Sequence, residues 1–213
     1  MKRGIMFLFA LGCLPAPGAI VDRTAIVVGK RVVKDSDIQR DLRITSFLNG
    51  QQPDFGVASR KSAAARLIDQ ELIREQIRSG RYPVALETEA DQLLAQTKKD
   101  RFASEAQYHR ELMQFSISET DLKDALLWQL TVLRFIDARF RPAVVVSDQD
   151  IQQYHDAHRA ELSKAHPDAK SAGDLRQEVE QLIAGERINK LLDEWLGQSR
   201  KEIRIDYLEK SLQ

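Results

Sequence analysis

Thr24-Ala-Ile-Val-Val-Gly-Lys-Arg-Val-Val33 holds two β-rich runs separated by the pair Gly29-Lys30. A two-residue connection that begins with Gly predicts a β-hairpin. Two strands alone are marginal in water, so this hairpin needs a partner. The other end of the chain offers one. Ile203-Arg-Ile-Asp-Tyr207 alternates apolar and polar residues with the period of a half-buried strand. If the two stretches pair, both ends of the mature chain meet in one small sheet, and all that lies between is an insertion of helices. The expected fold is therefore mainly α with a small β-sheet, a helical core in which an N-terminal hairpin pairs with a C-terminal strand.

The helices announce their own starts. Thr88-Glu-Ala-Asp91, Ser104-Glu-Ala-Gln107, Ser118-Glu-Thr-Asp121 and Ser147-Asp-Gln-Asp150 each fit a capping box. In that motif a hydroxyl accepts from an orphan N–H one turn on, and the acidic or amide side chain reaches back to the cap. Asp35 or Ser36 can cap an earlier helix, and Ser79-Gly80 can end the second. The predicted helices run over about 36–48, 58–79, 87–99, 104–114, 118–139, 148–163 and 174–200. Pro167 and the polar text between Arg159 and Gly173 read as a surface linker.

Two helices carry more than one apolar face. In the helix from Ser118, Leu122, Leu126, Leu130, Leu133, Ile136 and Phe140 share one broad side, while Trp128 and Phe135 lie nearly opposite. Either both sides are buried, or an aromatic stripe is left for something else to bind. In the last helix, Leu175, Val179, Leu182 and Ile183 cluster about half a turn from Leu191, Leu192, Trp195 and Leu196. A straight helix bridging two partners and a bend at Gly185 both account for the change.

The chain has 213 residues, 43% apolar and 30% charged, enough for one domain or one domain carrying a lobe. Basic and acidic residues balance at a net charge of zero, so no global field draws nucleic acid or anionic lipid. At the N-terminus Lys2 and Arg3 precede the apolar run Ile5–Leu14, and small residues and prolines follow. That order reads as a signal peptide over residues 1–19, too short to span a bilayer. No later run reads as a membrane helix. Export to the periplasm is the expectation, with a lipoprotein anchored through Cys13 as the alternative. Cys13 is the only cysteine, so the mature chain would have no disulfide.

Catalytic chemistry finds little support. His155 and His158 stand three apart on a predicted helix, but no third ligand at helical spacing completes a metal site. The chain has no GxSxG, phosphate-binding Gly loop or HExxH. Neither a cofactor nor a metal is expected. The candidates for binding are the aromatic and Met residues Phe102, Tyr108, Met113, Phe115, Trp128, Phe135 and Tyr154. Phe140 and Trp195 read as core. A promiscuous binder of unfolded chains needs adaptable apolar surface inside a polar rim.

The order of these motifs is familiar. Ile26–Val33 (IVVGKRVV) is followed by Asp35–Ile38 (DSDI), Arg66–Ile73 (RLIDQELI), the caps at Thr88 and Ser104, Val144–Tyr154 (VVVSDQDIQQY), Trp195 and the closing strand. Across nearly the whole mature chain this resembles the core domain of the periplasmic chaperone SurA and its PrsA-like and parvulin-associated relatives. The resemblance implies that residues 20–158 and 174–213 build one chaperone core for unfolded, aromatic-rich clients such as outer-membrane proteins. In that family a parvulin prolyl isomerase domain sits where this chain has only the 159–173 linker. The residues that line a parvulin cleft have no matching segment, so the implied protein is an ATP-independent holdase and not an enzyme. Two alternatives stay open: an assembly or scaffold subunit holding one folded partner, a homodimer included, and a prolyl isomerase by family label only.

Overall fold

The computed structural model describes residues 22–165 and 175–213. The segment read as a signal peptide, with Cys13, lies outside them, as do His166 and the later part of the expected linker. Strand β1 (Thr24–Val28) pairs antiparallel with β2 (Arg31–Lys34) on one side and with β3 (Ile205–Tyr207) on the other, in the order β2-β1-β3. Ile26 faces Tyr207 and Val28 faces Ile205, so the hairpin does take the C-terminal strand as its third member. Gly29 turns the hairpin at φ +57°, and its N–H donates to the Arg204 carbonyl at 2.8 Å. A Cβ there would meet Ile203 Cδ1 at 2.8 Å, so this turn requires Gly twice over.

Between the strands run α1 (Asp35–Asn49), α2 (Val57–Gly80), α3 (Glu87–Arg101), α4 (Glu105–Phe115), α5 (Glu119–Phe140), α6 (Asp148–Ala157), α7 (Arg159–Ala165) and α8 (Arg176–Glu202). The sheet packs on α1 and α2 through Ile26, Val28, Ile38, Ala63, Ala64 and Ile68, all 2% exposed or less. Ala63 and Ala64 let α2 approach closely, and each large aliphatic buried there contributes about 1.5–3 kcal/mol. The sheet is tied down from a second direction: Arg60 on α2 holds Asp35 at 2.8 Å and Glu209, beyond β3, at 2.8 Å.

Helix α5 is buried on two sides. Its first half, Leu122 and Leu126, packs with Phe47, Leu94, Tyr108 and Phe115. Its second half, Phe135 and Phe140, packs with Ile73, Ile188 and Trp195. Helix α8 is continuous through Gly185 and bridges two partners, with Val179 and Ile183 against Ile151 of α6 and Ile188 against Phe135 of α5. Leu133 and Leu182, expected on buried faces, are 56% and 42% exposed.

Three local expectations need correction. The helix predicted over 148–163 breaks at His158 (φ −108°, ψ 19°) into α6 and α7. Residues 159–165 are therefore helix and not linker, because Leu162 is drawn in against Ile151 and Leu175. Thr88 is not a cap: α3 starts at Glu87, and Glu89 accepts from the Leu86 N–H at 2.8 Å. Helix α1 begins at Asp35 with Lys34 as its cap residue, whose N–H donates to Asp37 at 2.9 Å.

Candidate functional site

A groove of about 790 Å³ lies between α1, α2 and α5, with Val32 and Val33 of β2 also lining it. Ile44 and Leu48 line it from α1, Leu67 and Ile73 from α2, and Ala125, Trp128, Val132 and Leu133 from α5. The spacing on α5 explains why one stripe faces it: 125, 128 and 132 recur every three to four residues. Val32 is 49% exposed and Leu133 56%, so large apolar groups reach solvent here within a polar surround.

Polar contacts hold the walls together. Arg66 on α2 meets Asp41 on α1 at 2.5 Å, and Arg40 on α1 meets Asp121 on α5 at 3.2 Å. Arg74 on α2 lies over the Trp128 ring of α5, 4.1 Å from its centroid. Exposed ion pairs are worth only about 0–1 kcal/mol each and a cation over a ring about 0.5–2 kcal/mol. The walls are held mainly by the buried contacts beneath the groove, with these polar contacts at its surface. Burial pushes the Asp41 carboxyl up from its ordinary range, against the pull of Arg66.

The aromatic candidates divide sharply. Tyr108 (1% exposed), Phe115 (7%) and Phe135 (0%) are core side chains, and none of them is available at the surface. Phe102 stacks on Phe47 at 5.9 Å and on Tyr108 edge-on at 5.3 Å, completing the aromatic core beneath α1 and α4. Tyr154 stacks on His158 at 4.2 Å beside the α6–α8 cluster. Met113 is 71% exposed but does not line the groove. Of the set, Trp128 alone lines the groove. Phe135, placed with it on one stripe by periodicity, points into the core against Tyr82 at 4.9 Å and Trp195 at 5.5 Å. Sequence reasoning missed Val32, Arg74 and Leu133 as surface contributors. Only Val32 carried a signal, since it alternates with the inward Val33 along β2.

A smaller cavity of about 460 Å³ lies where α3, α4 and the start of α5 meet. Tyr108 lines it, and its hydroxyl is sealed from solvent without a well-formed hydrogen bond among the described residues. Burial, followed by the charge of Glu119, pushes that phenol upward. Lys98 meets Glu119 at 2.7 Å and lies 4.3 Å from the Tyr108 ring centroid. Among the described residues no group of three or more His, Cys, Asp or Glu is placed to hold a metal ion. No described helix is long and apolar enough to cross a membrane.

No family model matches the chain, and no curated protein matches it.

Proposed function

We propose that this protein is an ATP-independent periplasmic holdase, and that the groove between α1, α2 and α5 receives extended segments of unfolded polypeptide such as outer-membrane proteins. The observation that carries this reading is the groove itself. An apolar floor with a half-buried Trp and exposed aliphatic groups inside a polar surround suits a ligand that varies in sequence. Binding would come from removing apolar surface from water, with no strict readout of sequence. Release without a nucleotide requires modest affinity and fast exchange. The motif order shared with the SurA-like core supports the same reading, as does the joining of the two ends in one sheet. No catalytic group is assigned, and the client contacts center on Trp128, Val32 and Leu133.

The test is breadth. Substoichiometric to equimolar protein should suppress aggregation of several unrelated unfolded proteins without ATP, and should not accelerate cis/trans exchange of a proline peptide. Suppression confined to a single partner would point instead to a dedicated assembly subunit.

A further inference from the structure

The groove carries a charge asymmetry that its apolar character does not explain. Its lining includes Asp37, Asp41, Asp69, Glu71, Asp121 and Asp124. Against them stand Arg40, Arg66 and Arg74. Each of these arginines is already engaged inside the groove: Arg66 with Asp41 at 2.5 Å, Arg74 with Glu71 at 3.5 Å, and Arg40 shared between Asp37 at 3.4 Å and Asp121 at 3.2 Å. Asp69 is met from outside by Arg200 at 2.7 Å. The surplus is therefore negative, and it has a place. Asp37 and Asp121 share Arg40 and otherwise accept from neutral donors, the Lys34 and Ser118 N–H groups and the Ser118 hydroxyl, while Asp124 forms no ion pair among the described residues, the neighbouring Lys123 being held by Asp91 at 2.8 Å. Asp121, Asp124 and Trp128 line the groove in sequence along α5. The ends of α1 and α5 that carry the acids thus make one anionic end, next to an apolar middle.

We infer that the groove prefers extended segments in which a Lys or Arg stands about two residues from an aromatic or large aliphatic side chain. The spacing follows from the two geometries. Asp124 and Trp128 are four residues apart on a helix, an axial rise of about 6 Å. An extended chain advances about 3.3 Å per residue, so about two client residues span the same interval. A cation at that position meets the unmatched carboxylate while its neighbour covers Trp128. An acidic residue there meets like charge instead. Selection would be modest and salt-sensitive, as expected of an exposed rim.

This inference rests on the proposed reading of the groove as a client site, and the test separates the two. Three labelled, unstructured peptides share one Leu/Phe core without Trp or Tyr, and differ only in carrying Lys, Gln or Glu two positions from Phe. Their affinities are read by anisotropy, and their location by protein Trp emission in the wild type and in Trp128→Phe. The expected order is Lys tighter than Gln, and Gln tighter than Glu, by about threefold at each step in low salt. Asp124→Asn should bring the Lys peptide to the Gln value, and high salt should merge all three. Equal affinities, or a preference for Glu, overturn the inference and leave the groove reading standing. Failure of all three to bind, or binding without any change that depends on Trp128, overturns both.

Discussion

The guanidinium of Arg74 lies 4.1 Å from the centroid of the Trp128 ring, joining α2 to α5 across the floor of the groove. Trp128 is thus neither core nor free surface: one face is covered by a guanidinium whose side chain is 45% exposed. Arg74→Ala should make Trp128 more accessible to acrylamide quenching while lowering stability by no more than about 1 kcal/mol. Trp128→Ala should weaken client binding about tenfold, as removal of a central aromatic contact does. Quenching and peptide titration on the same preparations check both.

Phe135 should behave in the opposite way. Its ring is 0% exposed and packs at 4.9 Å from Tyr82, 5.5 Å from Trp195 and 6.1 Å from Phe140. Phe135→Ala should cost about 3–5 kcal/mol in urea unfolding. At temperatures where the variant is folded, its affinity for client should match the wild type. A stable variant with lost affinity would return Phe135 to the binding surface.

Two glycines predict opposite signs. Gly29→Ala forces a Cβ into φ +57° and against Ile203 Cδ1, and should cost about 2 kcal/mol by left-handed strain alone. Gly185 sits inside α8 with no heavy atom within 4 Å of the position a Cβ would take. Gly185→Ala should therefore stabilise by about 0.5–1 kcal/mol. Chemical denaturation of the two variants beside the wild type decides it.

Acid should weaken the α6–α8 contact through Asp150. Arg187 on α8 meets its carboxylate at 2.6 Å, and the Ser147 N–H donates to it at 2.8 Å. These partners hold the Asp150 carboxyl below the ordinary value of 3.8. A carboxylate whose folded pKa is depressed stabilises fully above its unfolded pKa and loses that contribution as pH falls through the folded one. Asp150→Asn should lower the melting temperature at neutral pH. The gap to wild type should begin to narrow below about pH 4. A gap that widens on acidification would contradict this assignment of the charge.

The sheet was legible because both of its signals are local and strong: a Gly-led pair between β-rich runs, and a period-two strand at Ile203–Tyr207. The caps at Ser104, Ser118 and Ser147 were legible for the same reason, each hydroxyl accepting from the N–H three residues on. Thr88 misled because Glu89 can serve Leu86 without any hydroxyl, which starts α3 earlier. Leu133 was expected on a buried face and Phe135 was left open between core and surface, because periodicity ranks the faces of one helix and does not say how many neighbours that helix has. Helix α5 has partners on two sides, α3 and α4 at one end and α8 at the other, so its apolar residues divide by position along the axis as well as by angle. Arg74 gave no signal at all, since an arginine of α2 lying over a ring of α5 is a tertiary fact.

The most direct measurement is site-specific photocrosslinking to an unfolded outer-membrane protein. A photoreactive side chain is placed at Trp128 or Leu133 in the groove, and at Met113 or Leu208, which are 71% and 60% exposed outside it. Client adducts are expected from the two groove positions and few from the two controls, with the groove adducts reduced by an excess of unlabelled client. Adducts as abundant at Met113 and Leu208 as in the groove, or none at Trp128 and Leu133, would contradict the groove as the client site.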